Sequence, residues 1–284
     1  MRDSSTNHAG VPARTGGRVR NRRSPWAARG ELPHRVAIVL AALGFILPCI
    51  AWAWLSTSGW VDPVFLPTPV QVVRSVGVWF NEGDLLGDLL VSIGRVYGGF
   101  ALAVAIALPL GIAIGTLAPV RALLEPVTDF SRYLPAVAFI PLIMLWVGIE
   151  ESAKITVIFV GTFAQMVLLI AADIARVPHA AVEAAKTMGA TNGEVVQQVL
   201  IPAAWPAMLD TLRAMMGLSW TYLVVAELVA ASSGLGFSIL KAQRFLMTDQ
   251  IFAGILLIGA LGLLTDQALR WLHRRVFRWH HLRS

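Results

Sequence analysis

The sequence predicts an all-α fold: a polytopic membrane helix bundle with six transmembrane helices. Three observations carry this. Hydrophobic residues make up 56% of the chain and charged residues only 14%, too few polar groups to cover the surface of a water-soluble domain of 284 residues. The apolar residues are gathered into runs long enough to cross a bilayer. The arginines behind the formal net charge of +6 sit beside the ends of those runs, where charge sets membrane topology.

In chain order, residues 1–34 form a tail rich in Arg, Gly, Ser and Pro, including Arg14, Arg18, Arg20, Arg22, Arg23 and Arg29. It lacks the material for a core and is expected to be disordered and cytoplasmic. An anionic leaflet accounts for its charge; nucleic acid is the alternative, and the partner set expected here contains none. Val36–Leu55 is too long for a signal-peptide core and no convincing cleavage site follows, so it reads as the first span, with Trp52, Trp54 and Trp60 at its outer end. Cys49, the single cysteine, lies inside that run. It has no intramolecular disulfide partner and reads as a small hydrophobe.

Residues 56–91 read as an extracytoplasmic segment, with Asp62, Glu82, Asp84 and Asp88 outnumbering Arg74. Leu66-Pro67-Thr68-Pro69 opens a short helix there, whose Val72, Val73 and Val76 predict an interfacial lie. The second span runs from about Ser92 to Leu117. Gly94, Gly98, Gly99, Gly111 and Gly115 offer a small-residue surface for a neighbouring helix, and Pro109 predicts a kink. Arg95 lies just inside the outer end, where it can snorkel to the interface or contact a solute.

Arg121, Glu125, Asp129 and Arg132 mark a cytoplasmic turn, and Phe130–Val147 reads as the third span. Pro135 and Pro141 within it leave backbone carbonyls unpaired, which is tolerated only beside protein or a water-filled cavity, so this span is expected to line a pathway. After an external turn at Gly148-Ile149-Glu150-Glu151, the fourth span covers about Ala153 to Ala172, with Gln165 its one strongly polar interior residue.

The polar stretch 175–206 returns the chain through the cytoplasm as two short helices. Pro178 suits a first helical turn, and Ala181, Ala185 and Met188 fall on one face. Gly189 sits where a left-handed stop is expected. Thr191-x-x-Glu194 is a capping box for a second helix with Val195, Val196, Val199 and Leu200 on its apolar face, which Pro202 is expected to close.

The fifth span covers about Met208 to Ala230 and carries Ser219, Tyr222 and Glu227. Ser232-Ser233-Gly234-Leu235-Gly236 reads as a flexible external turn, Lys241–Gln250 as a polar external helix, and Ile251–Leu269 as the sixth span. Arg270, Arg274, Arg275 and Arg278 hold the C-terminal end inside. The membrane domain is therefore 35–278, followed by a short tail at 279–284, with both termini cytoplasmic.

Glu183-Ala184-Ala185, three residues, Gly189, nine residues, then Val199-x-Ile201-Pro202 resembles the EAA motif of permease subunits in bacterial ABC importers of the type I architecture. Val199 and Ile201 depart conservatively from its usual Ile and Leu. Leu66-Pro67-Thr68-Pro69, Ser92-x-x-Arg95 with Gly98-Gly99-Phe100, the two prolines leading to Trp146-x-Gly148, and Ala226-Glu227-Leu228 with Gly234-Leu235-Gly236 resemble one branch. Its members import aliphatic sulfonates, taurine or nitrate, and its relatives include importers of thiamine-precursor pyrimidines. The resemblance covers roughly residues 60–275. It implies an inner-membrane permease working with cytoplasmic ABC ATPase subunits, an extracytoplasmic substrate-binding protein and a second permease copy. Glu183, Ala184, Ala185, Gly189, Val199, Ile201 and Pro202 would then dock on the ATPase. The alternative for this stretch is an ordinary polar loop packed beneath the bundle.

The chain has no G-x-x-x-x-G-K-[ST] loop, no H-E-x-x-H, no G-x-S-x-G and no metal-ligand cluster. Catalysis on this chain is therefore not expected. No cofactor is expected on it either, and ATP and Mg belong on the partner ATPase. Arg95, Pro135, Pro141, Gln165, Ser219, Tyr222 and Glu227 are the pathway candidates, since polar groups inside a span are costly and usually functional. Helix–helix hydrogen bonding is the alternative for the polar ones, and Glu227 is expected to pair with Arg95 or to belong to a gate. An ion-driven secondary carrier would show an inverted repeat and charges at mid-span, and neither is found.

Overall fold

The computed structural model describes residues 33–276. Nearly all of the predicted 1–34 tail, and all of 279–284, lie outside the described residues. Up to Trp52 the chain forms one unit and from Ala53 onward another. The first unit is dominated by α1 (His34–Thr57), which continues past Pro48 and whose side chains from Arg35 to Ile50 are all exposed. An apolar helix with no buried face is suited to a bilayer and not to water.

The second unit is a helical bundle. α2 (Pro69–Glu82) opens with a capping box between Thr68 and Gln71. It buries Val72 and Trp79, while Val73 is 74% exposed, so the three predicted valines divide between two faces. α3 (Leu85–Thr116) runs unbroken through Pro109. It lies along α6 (Glu151–Ala175), and the reason is a stripe of small residues at a spacing of four: Gly99, Ala103, Ala107, Gly111 and Gly115. A Cβ on Gly99 or Gly111 would meet Ile158 or Ile170 Cβ at 2.7 Å, and the backbone oxygen of Ile155 or Val167 at 2.9 and 2.8 Å. Close backbone approach of this kind is how helices associate in lipid, where burial of apolar area provides no drive. Gly98 makes ordinary contact with Ile155 and Gly94 faces open space, so only part of the predicted glycine surface is used.

The expected third span, Phe130–Val147, is corrected. The predicted turn around Arg121 is itself a helix, α4 (Ala118–Ser131). A 3₁₀ turn at Ala136–Phe139 and α5 (Ile140–Val147) follow, bent by 87° from α4. Pro135 imposes the break: it has no N–H for the carbonyl of Ser131, the last residue of α4, and the residue before a proline is disfavoured in the helical region. Pro141 interrupts nothing: it sits in the first turn of α5, where its missing N–H costs nothing. Among the described residues, five helices are long and apolar enough to cross a membrane, and the bent pair read as one span makes a sixth.

α7 (His179–Thr187) and a single turn, α8 (Asn192–Glu194), lead into a π-helical segment at Val195–Leu200 and then α9 (Ile201–Ala230). Pro202 therefore does not close a helix as expected. The ladder widens before it, with the Ile201 N–H bonded to the carbonyl of Val196, and the wider turn lets the chain pass a residue that has no N–H to give. The predicted external helix Lys241–Gln250 is also displaced. α10 spans Leu235–Arg244, Leu246 takes a left-handed φ of 56°, and α11 (Thr248–Val276) has already begun by Gln250.

Candidate functional site

At one end of the bundle, α7, α8 and the π segment form a self-capped unit. The Gly189 N–H bonds to the carbonyl of Lys186 at 2.9 Å and the Ala190 N–H to that of Ala185 at 3.0 Å. This bond pair requires a left-handed residue between them, and Gly189 has φ 89°. A Cβ on Gly189 would meet nothing within 4 Å, so conformation alone demands glycine here. The Thr191 N–H donates to Glu194 Oε2 at 2.7 Å and the Glu194 N–H to Thr191 Oγ1 at 3.4 Å, completing the capping box.

The unit is anchored by Ala185 and Val195, 6% and 3% exposed. Glu183, Ala184, Lys186 and Gly189 are exposed, and Met188 is 82% exposed. The predicted shared face of Ala181, Ala185 and Met188 is thus split, with Ala185 inside and the other two outside. Val199 is half-buried, Ile201 packs against the core and Pro202 is exposed. Behind the unit lies a cavity of about 490 Å³, between Leu117 and Pro119 on one side and Val182, Lys186 and Val196 on the other.

A cluster of charged side chains is buried nearer the other end of α3. Arg95 is 2% exposed and does not snorkel. Its Nε and Nη2 donate to the two oxygens of Glu151 at 2.6 Å each, and its Nη1 donates to Glu227 Oε1 and the Ser233 carbonyl at 2.7 Å each. Ser92 donates to Glu227 Oε1 at 2.8 Å. The predicted flexible turn at 232–236 is pinned into this cluster. Gly234 N–H donates to Asp88 Oδ1 at 2.7 Å, Leu235 N–H to Ser92 Oγ at 2.9 Å, and Gly236 N–H to Glu227 Oε2 at 2.7 Å. The orphan donors at the start of α10 are therefore capped by side chains from α3 and α9. The expected Arg95–Glu227 pair is present. Glu151, Asp88 and Ser233 were not singled out from the sequence. The repeat Asp88, Ser92, Arg95 on one helix face was the signal that could have found the first of α3's contributions.

The remaining pathway candidates are dispersed. Gln165 is the only exposed residue of α6 between Ala153 and Ile174. The Tyr222 ring of α9 lies against Gly161 of α6, one turn before Gln165. Ser219 is fully buried and donates to the carbonyl of Met215 at 3.0 Å, within its own helix. Pro135 and Pro141 flank the 3₁₀ turn of the bent pair. Among the described residues no group of His, Cys, Asp or Glu is placed to hold a metal ion.

Long apolar helices, a sharply bent helix pair and a self-capped polar unit at one end fit a membrane-embedded transport component. Residues 107–278 match the family of binding-protein-dependent transport system inner membrane components, and the chain belongs to that family. It is similar to the taurine transport system permease protein TauC of Escherichia coli, 34% identical over 268 residues, 93% of this chain and 96% of that protein. It is also similar to the putative aliphatic sulfonates transport permease protein SsuC of Bacillus subtilis, 34% identical, covering 84% of this chain and 87% of that one. The crystal structure of an amino acid ABC transporter with histidines shares the fold, with a TM-score of 0.60 at 16% identity over 76% of this chain and 99% of that chain.

Proposed function

We propose that this chain is the permease subunit of an ATP-driven importer of small organic anions, of the taurine and alkanesulfonate kind, in the cytoplasmic membrane. A separate cytoplasmic ATPase carries the ATP and Mg site and grips the exposed side of α7, a second permease copy completes the pathway, and an extracytoplasmic binding protein delivers the solute. Both termini face the cytoplasm. The observation that carries this reading is the self-capped α7–α8 unit. It is held to its own bundle by Ala185 and Val195, and it leaves Glu183, Ala184, Met188 and Gly189 uncovered. Small side chains there allow a partner's backbone to come close, and Glu183 offers it a charge. The names of the relatives support the solute class. Among the pathway candidates, Gln165 is the best placed to meet a solute, as the one exposed residue of α6 between Ala153 and Ile174.

The test is uptake of labelled taurine and of an alkanesulfonate by the assembled transporter carrying Glu183→Ala with Gly189→Val. Uptake is expected to fall at least tenfold while membrane insertion is unchanged. Normal uptake by the double variant refutes the docking role.

A further inference from the structure

The exposed unit can work a pathway only if its displacement reaches the spans, and the structure shows where that is hard. Between α7–α8 and the body of α9 lie the π segment at Val195–Leu200, Pro202 and Pro206. The π segment widens the backbone ladder, and Pro202 and Pro206 have no N–H to give it, so this stretch is pliable. A push on α7 would be absorbed as bending there unless something beyond the stretch is fixed to the other exit of the loop.

One polar contact does this from within an apolar seam. Thr211 Oγ1 donates to Asp173 Oδ2 at 2.6 Å, across 38 residues of sequence, joining the end of α6 to α9 just past the pliable stretch. Asp173 is 3% exposed, and its second oxygen accepts from Arg176 Nη1 at 2.9 Å. The seam around it is apolar, with Ile170, Ile174, Ala204 and Met208 all in one core cluster. A carboxylate is not retained in such a seam without a partner, since an unpaired buried charge is among the costliest features a fold can carry. The residues beside Thr211 extend the link: Arg213 Nε donates to Asp266 Oδ1 at 2.9 Å, which brings in α11.

We infer that Asp173 and Thr211 are positioning residues for coupling: their bond closes the base of the 175–206 loop, so that α6 and α9 answer a movement of α7 as one body. This rests on the reading of α7 as an ATPase handle. It assigns no contact with nucleotide or solute to either side chain.

The experiment uses the full transporter in vesicles. Cys49, the only cysteine, is replaced by alanine, and Val229→Cys, at an exposed position of α9 outside the pathway candidates, is introduced as a reporter. Labelling of the reporter by a water-soluble maleimide is compared without nucleotide and after trapping with ATP and vanadate, a readout that needs no known solute. Three backgrounds are compared: Thr211 retained, Thr211→Val, and Thr211→Ser. With Thr211 retained, and equally with Thr211→Ser, the labelling rate is expected to change at least fivefold on trapping. With Thr211→Val it is expected to change less than twofold, while the ATPase still co-purifies and still hydrolyses ATP. A merely structural bond would alter assembly or melting and leave that response intact. If Thr211→Val fails to assemble, Asp173→Asn, which keeps the volume and weakens the bond, is held to the same criterion. A full nucleotide response in the assembled Val or Asn variant overturns the inference and leaves the handle standing. No response even with Thr211 present overturns the handle reading itself, and this inference with it.

Discussion

Arg95 shows how much a single residue can organise. Its guanidinium fork meets Glu151 with two parallel bonds and uses a third nitrogen on Glu227 and the Ser233 carbonyl. Lysine could not replace this geometry, because its three donors radiate from a point and do not form a plane. The two carboxylates are unequal. The Glu227 side chain is fully buried and that of Glu151 is 55% exposed. Removing the arginine strands Glu227 away from water but lets Glu151 hydrate. Arg95→Met is therefore expected to cost about 3–5 kcal/mol, the usual penalty for an orphaned buried charge. Glu151→Gln should cost clearly less, and adding Glu227→Gln to Arg95→Met should restore part of the loss. Thermal unfolding of the detergent-solubilised protein reads all three, and equal costs for Arg95→Met and Glu151→Gln would contradict the burial argument. Gly234 is tied to the same point: with φ 107° it has a backbone few other residues adopt, and a Cβ there would run into Glu227 and Arg95.

Among the elements, α3 and α6 form the pair on which the rest is assembled. Beyond the Arg95–Glu151 pair at one end, their contact needs the absence of side chains at Gly99, Gly111 and Gly115, with Ala103 and Ala107 between them at 0% exposure. Gly111→Ala places a methyl 2.8 Å from the Val167 carbonyl oxygen. Because that neighbour is backbone, the helices must separate, at about 1–3 kcal/mol as for other overpacked sites. A substitution of the same size at Gly94, where nothing lies within 4 Å, should be neutral. Yield of monodisperse protein after solubilisation separates the two, and equal yields would show that the helices are not held by close approach. The bent pair α4–α5 makes a different point at this scale. Apolar content at 130–147 reads as one span, but Pro135 decides the backbone locally and hydropathy carries no information about direction.

For the whole molecule, the proposal requires the α7–α8 unit and the α10–α11 corner to lie on opposite sides of the membrane. In a Cys49→Ala background, a cysteine at Met188 should be labelled only by reagent reaching the cytoplasmic side, and one at Leu246 only from outside. Both positions are well exposed, at 82% and 69%, so a failure to label cannot be laid to burial. Labelling of both from the same side would contradict the six-span arrangement and the placement of the ATPase together.

Much of this could be read without coordinates. Apolar run length marked five of the spans, because a bilayer imposes a minimum length on any helix that crosses it. Local rules marked the stop at Gly189 and the box at Thr191, because a left-handed turn and an uncapped N–H are solved within a few residues. What the sequence by itself determined was therefore composition-driven membrane embedding and short-range helix punctuation. Only the tertiary structure decided the 87° direction taken after the break at Pro135, the passage of the chain through Pro202, the burial of Arg95 and the Asp173–Thr211 bond. Each depends on which helices meet and at what depth. A carboxylate and a hydroxyl 38 residues apart leave no mark in the pattern of either helix alone, because the desolvation that forces them together exists only once the seam between those helices has closed.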